Sequence, residues 1–484
     1  MTVAEGSDHM TSPAPGNTAD PAPPTETPLP PTPLAWRVGI AGAVVAVGLI
    51  AYALRDTFGY RMQALAGIVC FLGVAAVFSK SLQSVKRKTL LWGIALQFAL
   101  AVAVIHSEWV RAVFQAVGGG IKALVAASDV GAEFVFGPLS KVEGPPGTAF
   151  GGVGGGLMLV AEEVRRPPHP FIFAFRALPP IIFVSSFFSV LYYFGVLQVL
   201  VRLMARAMMY LMGTSGAETL SVAANVFMGQ TEAPLIVKPF VARMTRSELL
   251  ALMGSGMAHI SGGMMAVYIS YGADPVSILC TCVMACPASL YLTKLVMPEA
   301  GTPVTLGESP ASVETPYVNA IDAAAAGVKD GLALALNVAA MLIGFLAFIA
   351  LFDAILGGIV TGLKLETVFG WVFAPVAFLL GVDPAETDKV GSLLGIKLAA
   401  NEHVAFLKLK EWKLAGGVLS DRSQVLAVYA LTGFANFASV GIQLGGIGSI
   451  APGRRADLAR LGMTALFVGF LATLLNAAVA GLLM

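Results

Sequence analysis

Two short polar runs interrupt a chain that is otherwise apolar: Asn225-Val226-Phe227-Met228-Gly229-Gln230-Thr231-Glu232 and Asn401-Glu402-His403. A carboxylate at bilayer depth costs about 2.5–3.5 kcal/mol on insertion scales, so it persists where it faces a cavity, a partner or a substrate. The chemistry open to these side chains is recognition. Carboxylate and amide oxygens accept protons from hydroxyl groups, and Gln230 and Thr231 can both donate and accept. Bond-breaking chemistry would need a nucleophile with its base, or a metal set. No His-Glu-x-x-His occurs, and His9, His106, His169, His259 and His403 are dispersed, so the chain does not read as an enzyme. Cys280, Cys282 and Cys286 match no paired zinc spacing and read, with Cys70, as small packing residues.

The elements that must position these runs are membrane helices. The chain has 484 residues, of which 57% are hydrophobic and 12% charged; an average soluble domain carries about 25% charged residues. A formal net charge of +1 gives no hint of nucleic acid. Residues 1–35 are rich in proline and read as a disordered tail, with an additional transmembrane helix over 36–55. Apolar runs predict spans at 38–54, 64–78, 90–105, 181–200, 251–270, 276–292, 331–352, 424–446 and 463–483. The glycine-rich stretch 106–170 reads as interfacial segments and loops. Its glycines lack the Gly-Lys-Ser/Thr continuation of a phosphate loop.

Segments 216–240 and 387–407 are apolar but are broken by the two polar runs. Irregular backbone at membrane depth is tolerated only where protein or a water-filled cavity covers it, so both read as re-entrant hairpins. Each is followed by an apolar helix with its own small or polar break, His259-Ile260-Ser261-Gly262-Gly263 and then Asn436-Phe437-Ala438-Ser439. Hairpin plus broken helix, occurring twice, is the pattern of a transporter built from repeats. Lys80, Lys86, Arg87, Lys88, Lys238, Arg243, Arg246, Arg454, Arg455 and Arg460 predict the cytoplasmic side. That puts the amino terminus inside, the carboxyl terminus outside, and the two halves in inverted orientation. Lys238 and Lys397 read as snorkelling or paired structural cations.

Three runs, Gly229-Gln230-Thr231-Glu232-Ala233-Pro234, Asn401-Glu402-His403-Val404-Ala405-Phe406 and Gly433-Phe434-Ala435-Asn436-Phe437-Ala438-Ser439-Val440-Gly441-Ile442-Gln443, together resemble the concentrative nucleoside transporters. The resemblance runs from about Ala64 to the end. It implies an all-α polytopic membrane protein of about nine transmembrane helices plus two re-entrant hairpins, with an inverted-repeat transport domain and a homotrimeric assembly. The corresponding divisions are scaffold over 62–200, first hairpin and broken helix over 201–297, loop and scaffold helix over 298–353, and second hairpin, broken helix and last span over 354–484.

The resemblance also implies site residues. Gln230, Thr231 and Glu232 would bind the nucleobase, with Met264 and Phe434 packing on it, and Glu402, Asn436 and Ser439 would hold the ribose. A sodium ion would sit at Asn225, Met228, His259 and Ile260, with Met228 and Ile260 contributing backbone carbonyls. His259 stands where the family usually has a hydroxyl, which keeps proton coupling open beside sodium coupling. His403 replaces a common aromatic residue, and Phe406 a tyrosine. The function implied is cation-coupled import of nucleosides across the bacterial inner membrane by alternating access. Proton coupling and a passive polar-solute channel are the alternatives.

Overall fold

The structure is a computed structural model that describes residues 25–140, 173–176, 178–307 and 317–484. The chain enters through helices α1 (Leu34–Ala53), α2 (Arg55–Val77) and α3 (Arg87–His106). Helix α4 (Glu108–Phe136), the single turn α5 (Phe173–Arg176), α6 (Leu178–Tyr193) and α7 (Val196–Met212) follow. The first hairpin is built from α8 (Gly216–Ala224), α9 (Ala233–Ile236) and α10 (Lys238–Val241), and the first broken helix from α11 (Arg246–Ala258) and α12 (Gly262–Ser270). Helices α13 (Pro275–Val296), α14 (Ala320–Ile359) and α15 (Leu365–Leu379) lead to the second hairpin, α16 (Thr387–Ala399) and α17 (Glu402–Ala415). The second broken helix, α18 (Asp421–Leu431) and α19 (Phe437–Ile450), and the final α20 (Arg455–Leu483) complete the fold. Among the described residues, 8 helices are long and apolar enough to cross a membrane, or up to 9 if the bent pair α6–α7 is one span.

Burial sorts these helices. Helices α11 and α12 are buried along almost their whole length and α13 and α20 over most of theirs, whereas α1 buries no residue. A helix apolar on every side belongs in a core or against lipid, and the two groups divide that way. Polar side chains pin the core together. Gln97 on α3 donates from Nε2 to Asn476 Oδ1 on α20 at 2.7 Å and accepts from the Tyr291 hydroxyl on α13 at 2.6 Å. Asn476 Nδ2 in turn donates to the Thr281 carbonyl at 3.1 Å. Outside this core α6 lies along α14, where small residues let the backbones close: a Cβ added at Gly327 would meet Ser186 Cα at 2.5 Å, and one at Gly331 would meet Ile182 Cα at 2.7 Å.

Several expectations from sequence are revised. Residues 108–136 form one continuous helix rather than segments joined by loops, and Gly118 is where that helix meets Pro275, whose Cβ would lie 2.5 Å from an added side chain. The second glycine run, 151–156, lies outside the described residues. The single span expected at 181–200 is two helices bent by 73°, broken at Gly195 with φ 78°. Helix α15, not singled out in the sequence, packs along α16. There a Cβ at Gly391 would meet Ala374 N at 2.8 Å and one at Gly395 would meet Phe369 Cβ at 2.3 Å. The tail is not loose as far as Pro33. Thr32 donates to the Ser79 carbonyl at 2.9 Å, Thr27 N to the Ala300 carbonyl at 2.9 Å, and Glu26 accepts from Arg246 N at 2.7 Å at the start of α11. Residues 1–24 lie outside the described residues.

The turns gather at two ends. At one, Lys80 N donates to the Val296 carbonyl, Arg454 donates to the Met244 carbonyl, and Arg246 pairs with Asp457 at 3.2 Å. At the other, Tyr60 donates to Asp383 at 2.8 Å, Arg422 to the Gly481 carbonyl at 2.6 Å, and Arg61 to the Met484 carbonyl at 3.1 Å. The basic groups flagged for one side, 80–88, 243–246 and 454–455, belong to the first end, and the carboxyl terminus belongs to the second.

Candidate binding site

Each repeat supplies two interruptions: residues 225–232 and 259–261 in the first, 400–401 and 432–436 in the second. Three of the four are followed by a helix whose restart is set by a capping side chain. Ser261 Oγ accepts from Met264 N at 3.3 Å, Asn401 Oδ1 from Val404 N at 2.9 Å, and Asn436 Oδ1 from Ser439 N at 2.9 Å. An N-cap of this kind is worth about 1 kcal/mol, and it leaves the positive end of each helix facing the break.

The breaks also bond to one another. Phe434 N donates to the His259 carbonyl at 3.0 Å and Gly262 N to the Phe227 carbonyl at 3.0 Å. Gln443 on α19 donates from Nε2 to the Met253 carbonyl at 2.9 Å. Three of the interruptions therefore meet in one region of the core, and the fourth joins them through Glu402, which accepts from Asn436 Nδ2.

Within it runs a continuous polar chain. The Tyr268 hydroxyl donates to Glu402 Oε1 at 2.8 Å, Asn436 Nδ2 donates to Glu402 Oε2 at 3.0 Å, and Asn436 caps Ser439. Ser439 Oγ then accepts from Gln230 Nε2 at 3.3 Å. Gln230, Glu402, Asn436 and Ser439, flagged from three separate stretches of sequence, are thus brought into one buried line. Among the described residues Gln230 Oε1 has no hydrogen-bond partner, which leaves an acceptor open at the first interruption.

The other flagged residues sit nearby but outside that line. Glu232 folds its Oε2 back onto Gly229 N at 2.8 Å and so closes the tip on itself. The Thr231 methyl packs on α19, 2.6 Å from where a Cβ would stand at Gly446. Met264 is buried in the first turn of α12, and Phe434 is half-buried in the second break.

The positions marked for a cation are also together. Asn225 is buried and donates from Nδ2 to the Ser221 carbonyl at 3.2 Å and to Ser255 Oγ at 2.9 Å. Its Oδ1, a hard oxygen of the type a sodium ion takes, has no partner among the described residues. His259 does not offer the oxygen that a hydroxyl there would supply. Its Nδ1 lies 2.7 Å from the Ser255 carbonyl and its Nε2 3.4 Å from Cys286 Sγ. A neutral imidazole that donates at Nδ1 and accepts the thiol proton at Nε2 satisfies both contacts. Met228 is half-buried at the first tip and Ile260 fully buried in the first break.

Sequence reasoning missed Tyr268, Tyr271 and Ser255. The tyrosines lie in an apolar stretch, Val267-Tyr268-Ile269-Ser270-Tyr271, that carries no motif, and only the fold brings Tyr268 to Glu402. Tyr271 and His403 make a second contact, hydroxyl to Nε2 at 3.2 Å. Lys397 is fully buried and does not snorkel: its Nζ donates to the Ala430 carbonyl at 2.7 Å and to Thr473 Oγ1 at 2.9 Å. The four cysteines are free and buried, and Cys286 is drawn into the His259 contact.

A polar chain strung between two helix-break repeats inside a membrane-type helical bundle defines a transporter. Family models named for the Na+ dependent nucleoside transporter match residues 66–139 (N-terminus) and 277–481 (C-terminus), and a nucleoside recognition "Gate" model matches 174–275. The chain belongs to the concentrative nucleoside transporter family. It is 36% identical over 429 residues to an uncharacterized transporter of Haemophilus influenzae, covering 87% of this chain and 97% of the relative. To the uncharacterized transporter YutK of Bacillus subtilis it is 38% identical over 431 residues, covering 86% and 98%. To the sodium/nucleoside cotransporter 1 of Rattus norvegicus it is 38% identical over 465 residues, covering 90% of this chain and 66% of the rat protein. Among solved structures, CNTnw in an inward-facing substrate-bound state superposes with a TM-score of 0.77 at 33% identity, covering 87% of this chain and 97% of CNTnw. A CNTnw variant in an outward-facing state gives 0.79 at 35% identity, with coverage of 87% and 98%.

Proposed function

We propose that the protein is a sodium-coupled symporter that carries nucleosides into the cell across the bacterial plasma membrane by alternating access. The observation that carries this reading is the line Glu402–Asn436–Ser439–Gln230, which joins the two repeats through hydrogen-bonding groups suited to a sugar at one end and a base at the other. Glu402 accepts ribose hydroxyls, with Asn436 and Ser439 beside it. Gln230, through its open Oε1, faces the base, with Thr231 and Glu232 beside it at the tip, while Met264 and Phe434 pack on its ring. Nucleosides thus meet both donors and acceptors, and an analogue without ribose leaves the Glu402 end unpaired, at about 1–3 kcal/mol.

Sodium is the co-transported ion in this reading. Asn225 Oδ1 and the backbone carbonyls of Met228 and Ile260 are its ligands, and His259 stands beside them as a neutral group held by Ser255 and Cys286. An imidazole so engaged does not repel a cation, which favours sodium over proton coupling. Ion binding at Asn225 orders the first hairpin tip, and nucleoside then bridges both tips. The two hairpins are re-entrant, and the end that gathers Lys80, Arg243, Arg246 and Arg454 is cytoplasmic, with Met484 outside. The working assembly is a homotrimer.

The test is uridine uptake into proteoliposomes under an inward sodium gradient at equal pH, compared with an inward proton gradient without sodium. Sodium alone should drive accumulation above equilibrium, and Asn225→Ala should abolish the sodium dependence. Accumulation driven only by protons would make His259 the coupling residue, and none under either gradient would turn the reading toward a passive channel.

A further inference from the structure

Glu402 is held by two donors, and one of them, Tyr268, belongs to none of the motifs that mark the site. We propose that Tyr268 is a positioning residue of the ribose subsite: its hydroxyl fixes Glu402 as a hydroxyl acceptor, so that discrimination for the intact sugar depends on a residue that does not itself touch the sugar. The inference rests on the reading of Glu402 as the ribose acceptor.

The geometry argues this directly. Glu402 is 4% exposed, so its carboxylate needs protein donors in place of water. Tyr268 satisfies Oε1 at 2.8 Å and Asn436 satisfies Oε2 at 3.0 Å. An ionised carboxylate offers about four lone-pair sites, so one donor on each oxygen leaves acceptor capacity on both for a polyhydroxyl ligand. Tyr268 comes from the first broken helix and Asn436 from the second, so the carboxyl plane is clamped between the two repeats.

The clamp is itself rigid. The Tyr268 ring is fully buried and stacks on Phe406, with centroids 4.1 Å apart and planes at 14°. It also leans on His403 at 5.8 Å. Phe406 lies four residues after Glu402, one turn further along α17, so the same helix face carries both the carboxylate and the platform that orients its donor. A buried phenol has no water to turn to, and rotation about the stack would strand both the hydroxyl and Oε1.

Tyr268→Phe keeps the stacked ring and removes only the donor. The probes are uridine and 2′,3′-dideoxyuridine, with uptake measured in proteoliposomes and binding measured as the thermal shift of solubilised protein. In Tyr268→Phe the KM for uridine should rise about tenfold with the maximal rate retained, the size expected for one hydrogen bond to a charged group. The KM for 2′,3′-dideoxyuridine should stay unchanged, so that discrimination between the two collapses. Combined with Glu402→Gln, the tyrosine substitution should add less than about twofold, because both act through one interaction. Equal increases for both probes would make Tyr268 a packing residue and overturn the proposal, as would no change for either. Should Glu402→Gln alone leave discrimination intact, the ribose reading of Glu402 falls first and the proposal with it. Should Glu402→Gln abolish discrimination while Tyr268→Phe preserves it, only the proposal falls.

Discussion

Asn436 serves two bonds with one side chain: its Oδ1 caps α19 by accepting from Ser439 N at 2.9 Å, while its Nδ2 donates to Glu402 Oε2 at 3.0 Å. Helix start and candidate ligand are therefore the same group, and the two roles can be separated chemically. Asn436→Asp retains a cap acceptor but loses the donor and sets a second carboxylate against Glu402. We expect a folded protein with nucleoside uptake reduced at least a hundredfold, whereas Asn436→Ala should also lower thermal stability by about 1 kcal/mol. Uptake assays paired with melting of the solubilised protein read both, and normal uptake in Asn436→Asp would remove Asn436 from the site.

The first tip depends on close packing at Gly256. A Cβ there would lie 2.7 Å from Gln443 Nε2 and 3.0 Å from Gln230 Cβ. Gly256→Ala should push Gln230 off Ser439 and raise the KM for nucleoside severalfold with little effect on expression. Gly441→Ala, where an added Cβ meets nothing within 4 Å, is the matched control. Equal kinetics for the two variants would show that the tip adjusts freely.

A second buried group of charges lies at the end where the basic turns gather. Lys294 Nζ sits 2.7 Å from Glu218 Oε2 and 3.0 Å from Glu299 Oε2, and it donates to Ser247 Oγ at 3.0 Å. Glu218 completes the capping box at the start of α8, so this one lysine pairs with the carboxylate that begins that helix, while Glu248, in the capping box of α11, joins the group by accepting from Ser215 Oγ. Removing one partner of a buried pair costs about 3–5 kcal/mol because the other charge is left uncompensated. Lys294→Met should therefore lower the melting temperature sharply, and Lys294→Met with Glu218→Gln should recover part of the loss. An unchanged melting temperature in the single variant would show that the lysine does not stabilise this group of carboxylates.

The docked part of the tail offers a milder test. Glu26→Ala removes the acceptor for Arg246 N at an exposed helix start, so the expected loss is about 0.5–1 kcal/mol with transport intact. A large loss of uptake would give the tail a role in the transport cycle that its contacts do not predict.

The membrane class and the four interruptions were legible because each depends on local composition: a polar run inside an apolar segment is visible without tertiary knowledge. That Gln230, Glu402, Asn436 and Ser439 lie together was implied by the family resemblance of the runs that carry them. Tyr268 was not, since an aromatic residue in an apolar helix looks the same whether it packs or donates. The bend at Gly195 was hidden because both flanking helices are apolar, and α15 because its partner across the Gly391 contact is separated only by a short turn. The cap role of Asn436 could be read as a helix restart, but its second bond needed the fold that brings α17 beside it.

The amides of Gln97 and Asn476, joined to Tyr291 and Thr281, have a consequence for how the molecule can change shape. Hydrogen bonds between membrane helices are worth only about 0.6 kcal/mol on average, so this network adds modest strength. What it adds is registry: sliding α3 against α20 by one turn would part the two buried amides from each other inside the apolar core. The network thus fixes the register of α3, α13 and α20 against one another, while the interrupted segments and the bend at Gly195 are the places where the backbone already lacks continuous helical hydrogen bonds.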